Sequence, residues 1–306
     1  MNTNNTNLNF NVDLSGFDPA KLSTSALITN MSISVWTGRK LDKRVSEEVD
    51  QSKSAKTRAG NYNKNLFAGA AQLEAVTKVA GAARSWMYGV TQPWGDNGDR
   101  ILSVQSLPQF KQRLMEYEAQ FAKAVNIFLD DYDTLVSQAA FQLGDLFDRE
   151  DYPTREGVVR KFGFRYSVAP MPQAGDFRVD IGEEGLRELR EKYETTMRDR
   201  IEGAMREAWD RLHDCLTRMS ERLADTTDEN GDIKRKIFRD SLIENAVEIC
   251  GLLRTFNITG DTRMDEMRRQ LEETLNGVDA TMLRESDYVR HQTKAKVDAI
   301  LDRFAL

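Results

Sequence analysis

Residues 106–146 read SLPQFKQRLMEYEAQFAKAVNIFLDDYDTLVSQAAFQLGDL, and apolar side chains recur in this stretch at helical spacing. The recurring positions form a first stripe: Phe110, Leu114, Tyr117, Phe121, Val125, Phe128, Tyr132, Leu135, Ala139, Leu143 and Leu146. Their mean spacing of about 3.6 residues is the period of a straight α-helix. About 40 residues at ~1.5 Å each predict a rod of roughly 60 Å, which ends before Tyr152 and Pro153.

A second stripe runs over residues 186–223 with a mean spacing of about 3.7 residues. Its members are Leu186, Leu189, Tyr193, Met197, Ile201, Ala204, Ala208, Leu212, Cys215, Met219 and Leu223. Two amphipathic helices of matching length, separated by a short segment, are expected to fold back on each other. We therefore predict a mainly α fold built on a long antiparallel helical hairpin, similar to a coiled coil, followed by a C-terminal helical segment.

The segment between the two stripes, residues 156–181, changes to a period of two. Phe162, Phe164 and Tyr166 alternate with polar residues or glycine, and residues 177–181 repeat the pattern. Alternation of this kind is typical of β-strands. We predict a small β-element at the tip of the hairpin, with strands at 8–14 and 31–37 available to complete its sheet.

These patterns divide the chain into four predicted regions. They are a partly disordered N-terminal arm (1–30), a strand and an Ala-rich helix (31–105), the hairpin (106–227) with its inserted β-element (156–181), and C-terminal helices (228–306) near 233–256, 262–276 and 283–304.

Composition restricts the classes of function. The 306 residues are 30% charged with a net charge of −6, which gives no global attraction to nucleic acid or to anionic lipid. Two cysteines, Cys215 and Cys250, do not make a disulfide framework, and both lie on apolar helical stripes. The sequence has no apolar run long enough to cross a bilayer and no signal-peptide pattern at its start. We expect a protein of the reducing cytoplasm that does not bind membranes.

Catalytic and metal-binding motifs are missing from the sequence. No Gly-rich phosphate loop occurs, and His213 and His291 lack the ligand spacing of zinc sites. The turn at 226–233 resembles part of a calcium loop, but Thr226 and Ile237 stand where such a loop has its first carboxylate and its bidentate glutamate. The acidic positions within 130–151 are typical of a solvated helix face. We therefore expect a non-enzymatic protein without cofactor or metal.

Cationic side chains near aromatic ones are the candidate contact residues. The set is Arg39, Lys40, Lys43, Arg44, Arg155, Arg160, Lys161, Phe162, Phe164, Arg165 and Tyr166. Aromatic rings stack on bases and cations neutralise phosphates, so this set is compatible with a surface for single-stranded nucleic acid. An amphipathic strand whose rings pack on helices explains the same alternation, and we favour that interpretation.

Four segments also carry a family resemblance: SVWTGRKLDKR (34–44), DYP (151–153), KFGF (161–164) and GDFRVD (175–180). Together they resemble an uncharacterised family common in tailed bacteriophages and some bacteria. The resemblance implies long helices around a short strand region and a gene often encoded near a MoxR-like AAA+ ATPase. It implies no functional residues, because none is established for that family.

The functional expectation follows from shape and resemblance. We expect a phage-encoded oligomeric scaffold or adaptor in the bacterial cytoplasm, whose partner is a second copy of the chain or an AAA+ ATPase. The alternatives are a single-stranded nucleic-acid-binding factor of phage replication or recombination, and a structural component of the virion.

Overall fold

The computed structural model describes residues 19–172, 182–227 and 233–304. The predicted strand at 8–14, the second half of the predicted β-element at 177–181 and most of the calcium-like turn lie outside these residues. The described helices are α1 Pro19–Ser25, α2 Lys43–Ser52, α3 Ala71–Val90, α4 Leu107–Asp130, α5 Tyr132–Leu143, α6 Arg155–Val159, α7 Gly182–Leu223, α8 Ser241–Phe256, α9 Thr262–Leu275, α10 Ala280–Glu285 and α11 Asp287–Phe304.

Eight short strands accompany these helices in the described part of the chain. They are β1 Ala26–Ser34, β2 Arg39–Asp42, β3 Tyr62–Asn65, β4 Gln92–Pro93, β5 Arg100–Ser103, β6 Gly163–Pro170, β7 Asp225–Thr227 and β8 Ile233–Arg235. The largest sheet has the order β4-β5-β1-β6, with β5 antiparallel to both β1 and β4. The pairs β2-β3 and β7-β8 form two small antiparallel ribbons.

The chain divides into two compact units. Among the described residues, unit 2 consists of 30–89 and 108–167, and the other residues form unit 1. In unit 1, α7 packs against α8, α11 and β4, and α9 packs against α8 and α11. In unit 2, helices α3 to α6 share one aromatic core with the end of β1.

Both predicted stripes are buried over most of their length, but Leu189 of the second is 37% exposed, and Leu143, Leu146, Leu186 and Tyr193 are only partly buried. Every member of the first stripe from Phe110 to Ala139 is buried, and so is every member of the second from Met197 to Leu223. The second stripe lies on one continuous helix, α7. The periodicity of the apolar residues therefore identified which faces of these helices are buried.

The predicted hairpin is wrong. The first stripe belongs to the core of unit 2, whereas the second belongs to the core of unit 1. The two stripes therefore do not pack against each other. The first rod is also divided into α4 and α5 at Asp131, whose carboxylate accepts a hydrogen bond from Gln72 Nε2 at 2.8 Å. It ends at Gly144, which has a φ of +52°. The chain is mostly helical, but it also contains a four-stranded antiparallel sheet in place of a β-element at a hairpin tip.

The hairpin does not form because each stripe packs against a different apolar surface. In unit 2, Trp86 of α3 stacks on Phe110 with ring centroids 5.1 Å apart, and it contacts Tyr117 at 5.4 Å. In unit 1, α7 buries its stripe against the C-terminal helices, including Leu253 and Val297. Burial of apolar surface is not directional, so a stripe does not encode which surface covers it.

Candidate partner-binding surface

The first group of predicted contact residues begins after a turn at Gly38. This glycine has a φ of +62°, and a Cβ atom at this position would lie 2.8 Å from Leu73 Cδ2, so only glycine fits without strain. Arg39 and Lys40 then enter β2, which pairs with β3. Asp42 ends the strand and caps α2, because its Oδ1 accepts from Val45 N–H at 3.0 Å. Lys43 and Arg44 consequently lie in the first turn of α2.

A buried ion cluster holds this ribbon in place. Lys64 Nζ of β3 lies 2.6 Å from Asp151 Oδ2 and 3.5 Å from Asp42 Oδ2, and it donates to the carbonyl oxygen of Leu146 at 2.8 Å. Burial alone lowers the pKa of Lys64, but the hydrogen bond and charge of Asp151, together with those of Asp42, outweigh it and raise that pKa. The Val45 N–H, followed by the charge of Lys64, lowers the pKa of Asp42. Lys64 is therefore a structural cation that connects β3 to the turn after α5.

Sequence reasoning missed this cluster. Its three charged members are far apart in the chain, and each one looks like an ordinary charge of a loop or a strand end. The available signal was Asp151 directly before Tyr152, whose hydroxyl donates to Leu66 O at 3.0 Å and whose ring is buried. A charge beside a buried ring indicates that the charge has a partner of its own.

Three of the predicted contact cations form ion pairs with neighbouring carboxylates. Lys40 lies 3.6 Å from Asp151, Arg44 lies 3.0 Å from Glu48, and Arg155 lies 2.8 Å from Asp130. The three cations are half-exposed or more, and exposed pairs of this kind contribute only ~0–1 kcal/mol each. These three side chains are therefore partly neutralised within the chain.

The remaining cations are exposed. Arg39, Lys43, Arg160 and Arg165 form no salt bridge within the described ranges, and Lys161 Nζ lies 5.5 Å from the centroid of the Trp36 ring. Trp36 is three residues before Arg39, which limits the distance between their Cα atoms to about 11 Å. Both predicted groups of cations therefore belong to unit 2, and Lys161 contacts the segment that leads into β2. We call Arg39, Lys43, Arg160, Lys161 and Arg165 the basic surface.

The aromatic residues of the predicted strand divide into two kinds. Phe162 contacts Phe128 edge-to-face with ring centroids 5.7 Å apart, and Phe164 contacts Phe121, also at 5.7 Å. Both rings are half-buried members of the unit 2 core. Tyr166 is 42% exposed. Two of the three rings are thus occupied by packing, which leaves Tyr166 as the accessible ring of this strand.

The chemistry available elsewhere is limited. Burial raises the pKa of the Cys215 thiol to about 11 and that of Cys250 to about 12, so neither is a nucleophile at neutral pH. His291 Nε2 lies 2.8 Å from Asp225 Oδ2 on the surface of unit 1. Within the described ranges, no group of three His, Cys, Asp or Glu side chains is placed to hold a metal ion. The helices of those ranges include none that is both long and apolar enough to span a bilayer.

Fold and surface together define only a broad class, a mainly helical chain with a small antiparallel sheet and a group of exposed cations on unit 2. No protein-family model matches this chain, and no match occurs among curated proteins or solved structures. Its function is consequently argued from its own side chains.

Proposed function

We propose that this chain is a non-enzymatic, phage-encoded scaffold or adaptor of the bacterial cytoplasm, which binds an acidic protein through the basic surface of unit 2. The observation that carries the proposal is that five exposed cations of unit 2, from β2, α2 and the α6–β6 segment, lack carboxylate partners within 4.0 Å in the described chain. The resemblance in sequence suggests a MoxR-like AAA+ ATPase as the specific partner.

The distribution of charge supports an acidic partner. The sequence of unit 2 carries three more cationic than anionic side chains, whereas the remainder of the chain carries nine more anionic ones. A group of exposed cations on an otherwise acidic protein orients an acidic partner during encounter and disfavours binding elsewhere on the chain. The net charge of −6 conceals this asymmetry.

The placement of the rings favours a protein over single-stranded nucleic acid. Proteins that bind single strands combine a basic groove with several exposed rings on which successive bases stack. Phe162 and Phe164 are engaged with Phe128 and Phe121, so they are not available for stacking. The basic surface therefore has the cations of a single-strand binding site but lacks the exposed rings on which bases would stack.

The test uses the full chain and a triple charge reversal, Arg39→Glu, Arg160→Glu and Arg165→Glu. The matched control reverses three exposed cations of α7 in unit 1, Arg190→Glu, Lys192→Glu and Arg198→Glu, which changes the net charge equally.

Binding is measured to the MoxR-like ATPase of the same genome and to a labelled oligothymidine. Three exposed charge contacts at ~0.2–1 kcal/mol each predict about tenfold weaker ATPase binding for the unit 2 variant. The α7 variant should bind like the wild type. Equal ATPase binding by both variants would contradict the proposal. Tight oligothymidine binding that falls steeply with salt would support the nucleic-acid alternative instead.

A further inference from the structure

The segment of unit 2 from β2 to β3, residues 39–65, buries little of its own surface. We call this segment the basic arm. Ser46 is the one buried residue of α2, and the loop at 53–61 is exposed throughout. α2 packs against β3, the second strand of its own ribbon. The basic arm therefore adds little to the apolar core of unit 2.

Polar contacts hold the basic arm together instead. Ser46 Oγ donates to the carbonyl of Asp42 at 2.6 Å and accepts from the Tyr62 N–H at 2.9 Å, so it connects α2 to both strands of the ribbon. At the other end of the helix, Asp50 Oδ1 accepts from the Ala59 N–H at 3.2 Å. These bonds fix the loop as well as the helix.

The loop of the basic arm also contains a strained residue. Ser54 has a φ of +53° and is the one residue other than glycine with a positive φ in the described chain. This left-handed conformation is usually taken by glycine at the end of a helix, because it is unfavourable for a residue with a Cβ atom. Such strain persists only where the surrounding contacts impose it, and it clusters at ligand-binding segments.

The basic arm carries the whole positive excess of unit 2. It contains eight Lys and Arg side chains against four Asp and Glu, whereas the rest of unit 2 contains ten against eleven. Lys53 and Lys56 of its loop form no salt bridge within the described ranges. Both side chains are exposed. The loop therefore adds two free cations to those of the basic surface.

The four carboxylates of the basic arm are engaged within it. Asp42 pairs with Lys64, Glu47 with Arg58 and Glu48 with Arg44, and Asp50 accepts from the Ala59 N–H. The cations of the arm that have no carboxylate in the described chain are Arg39, Lys43, Lys53 and Lys56. Carboxylates that would bind these cations must therefore come from a partner.

Resting on the function proposed above, we infer that the basic arm is the element through which unit 2 recognises its acidic partner, with Lys53 and Lys56 as further contact residues. Lys43 and Lys53 stand at opposite ends of α2, about 15 Å apart along its axis. An extended chain covers ~3.4 Å per residue, so a run of about five residues rich in Asp and Glu reaches both ends.

The composition of the arm favours an acidic peptide over single-stranded nucleic acid. Tyr62 is the only aromatic residue in its sequence, and it is 39% exposed. Binding of single strands relies on several rings on which successive bases stack. The arm therefore supplies charge along its length with one ring at most for stacking.

The first experiment reverses both loop cations of the full chain, Lys53→Glu with Lys56→Glu. The matched control reverses two exposed lysines of α4 in the same unit, Lys111→Glu with Lys123→Glu, which changes the net charge equally. The probe is a fluorescein-labelled decaglutamate peptide, followed by fluorescence anisotropy. Loop reversal should weaken peptide binding at least about fivefold, and the control should stay within about twofold of the wild type. Equal binding by both variants, or no binding by the wild type at low salt, would overturn the inference.

A second variant separates a shaped site from an accumulation of charge. Asp50→Ala removes a negative charge three residues from Lys53 and also removes the acceptor of the Ala59 N–H. Charge alone predicts tighter peptide binding, whereas a site fixed by its loop should lose about threefold in affinity. Tighter binding by Asp50→Ala, with an unchanged circular dichroism spectrum, would contradict the inference.

The outcomes separate this inference from the proposed function. If peptide binding depends on the loop lysines while the wild type does not bind the MoxR-like ATPase, the proposed partner is wrong and the inference stands. If the reversal of Arg39, Arg160 and Arg165 weakens ATPase binding while loop reversal changes neither ligand, the function stands and the inference is wrong. Oligothymidine that binds more tightly than the peptide and depends on Lys53 and Lys56 would assign the arm to nucleic acid and overturn the inference.

Discussion

Arg290 of α11 is a buried cation that binds the carbonyl end of α7. It is 2% exposed. Its Nε donates to the carbonyl of Leu223 at 3.0 Å, and its Nη2 donates to the carbonyls of Arg222 at 3.0 Å and Lys236 at 3.2 Å. Two of these acceptors belong to the last turn of α7, whose carbonyls have no partner within the helix. The guanidinium also lies 5.6 Å from the ring centroid of Phe238.

The replacement Arg290→Met keeps much of the side-chain volume and removes all three hydrogen bonds, together with the ion pair that Nε makes with Asp225 Oδ1 at 3.8 Å. Hydrogen bonds to a charged group contribute ~1.5–3 kcal/mol each, and an unsatisfied buried carbonyl costs ~1–3 kcal/mol, with water able to reach some of them. We therefore expect a loss of about 3–6 kcal/mol in the free energy of unfolding of unit 1. A domain of this size shifts by ~2–4 °C per kcal/mol, so its melting temperature should fall by about 6–24 °C.

Differential scanning calorimetry measures this effect without assuming a single transition. The control is Arg254→Ala, which breaks the exposed pair with Glu272 and should cost about 1 kcal/mol or less. The loss in free energy of unfolding for Arg290→Lys should lie between those for Arg290→Met and Arg254→Ala, because an ammonium group reaches fewer of the three carbonyls. A loss below about 1 kcal/mol for Arg290→Met would show that these carbonyls are satisfied without the guanidinium.

Two further predictions concern titratable groups. Because burial raises the pKa of Cys215 to about 11 and that of Cys250 to about 12, neither thiol should react with Ellman's reagent in the native protein at neutral pH, and both should react at once in denaturant. Rapid native reaction of either would refute their burial. The raised pKa of Lys64 contributes stability that is complete below the unfolded value of ~10.4 and is lost as pH rises through the folded value. Lys64→Met should therefore flatten the alkaline loss of unit 2 stability followed by circular dichroism, and an unchanged slope would contradict the ion cluster.

The sequence was sufficient to predict burial but not pairing. The buried faces of α4, α5 and α7 can be predicted from the helical period of their apolar residues alone. An amphipathic helix exposes its polar face to water whatever covers its apolar face. Their partners depend on contacts between residues far apart in the chain. Trp86, which stacks on Phe110, carries no signal in its own segment that identifies that ring as its neighbour.

The candidate surface shows the same division. Alternation in 161–166 predicts two faces of a strand, and it leaves open whether the rings meet bases or a core. The structure places Phe162 and Phe164 on the rings of α4, because the first stripe offers Phe121 and Phe128 at one helical face. The structural role of Lys64 could not be predicted for a related reason. Its stabilising carboxylates come from β2 and from the turn before Tyr152, and only the fold brings them together.

A double-mutant cycle between Phe121 and Leu212 decides whether the two stripes occupy separate cores. These residues would face each other in a hairpin of 106–146 on 186–223, whereas in the structure Phe121 belongs to the core of unit 2 and Leu212 to that of unit 1. Replacing either with alanine should cost ~2–5 kcal/mol. We expect the two losses to add within ~0.5 kcal/mol, each confined to its own calorimetric transition. A coupling energy of ~1 kcal/mol or more would mean that the stripes pack on each other after all.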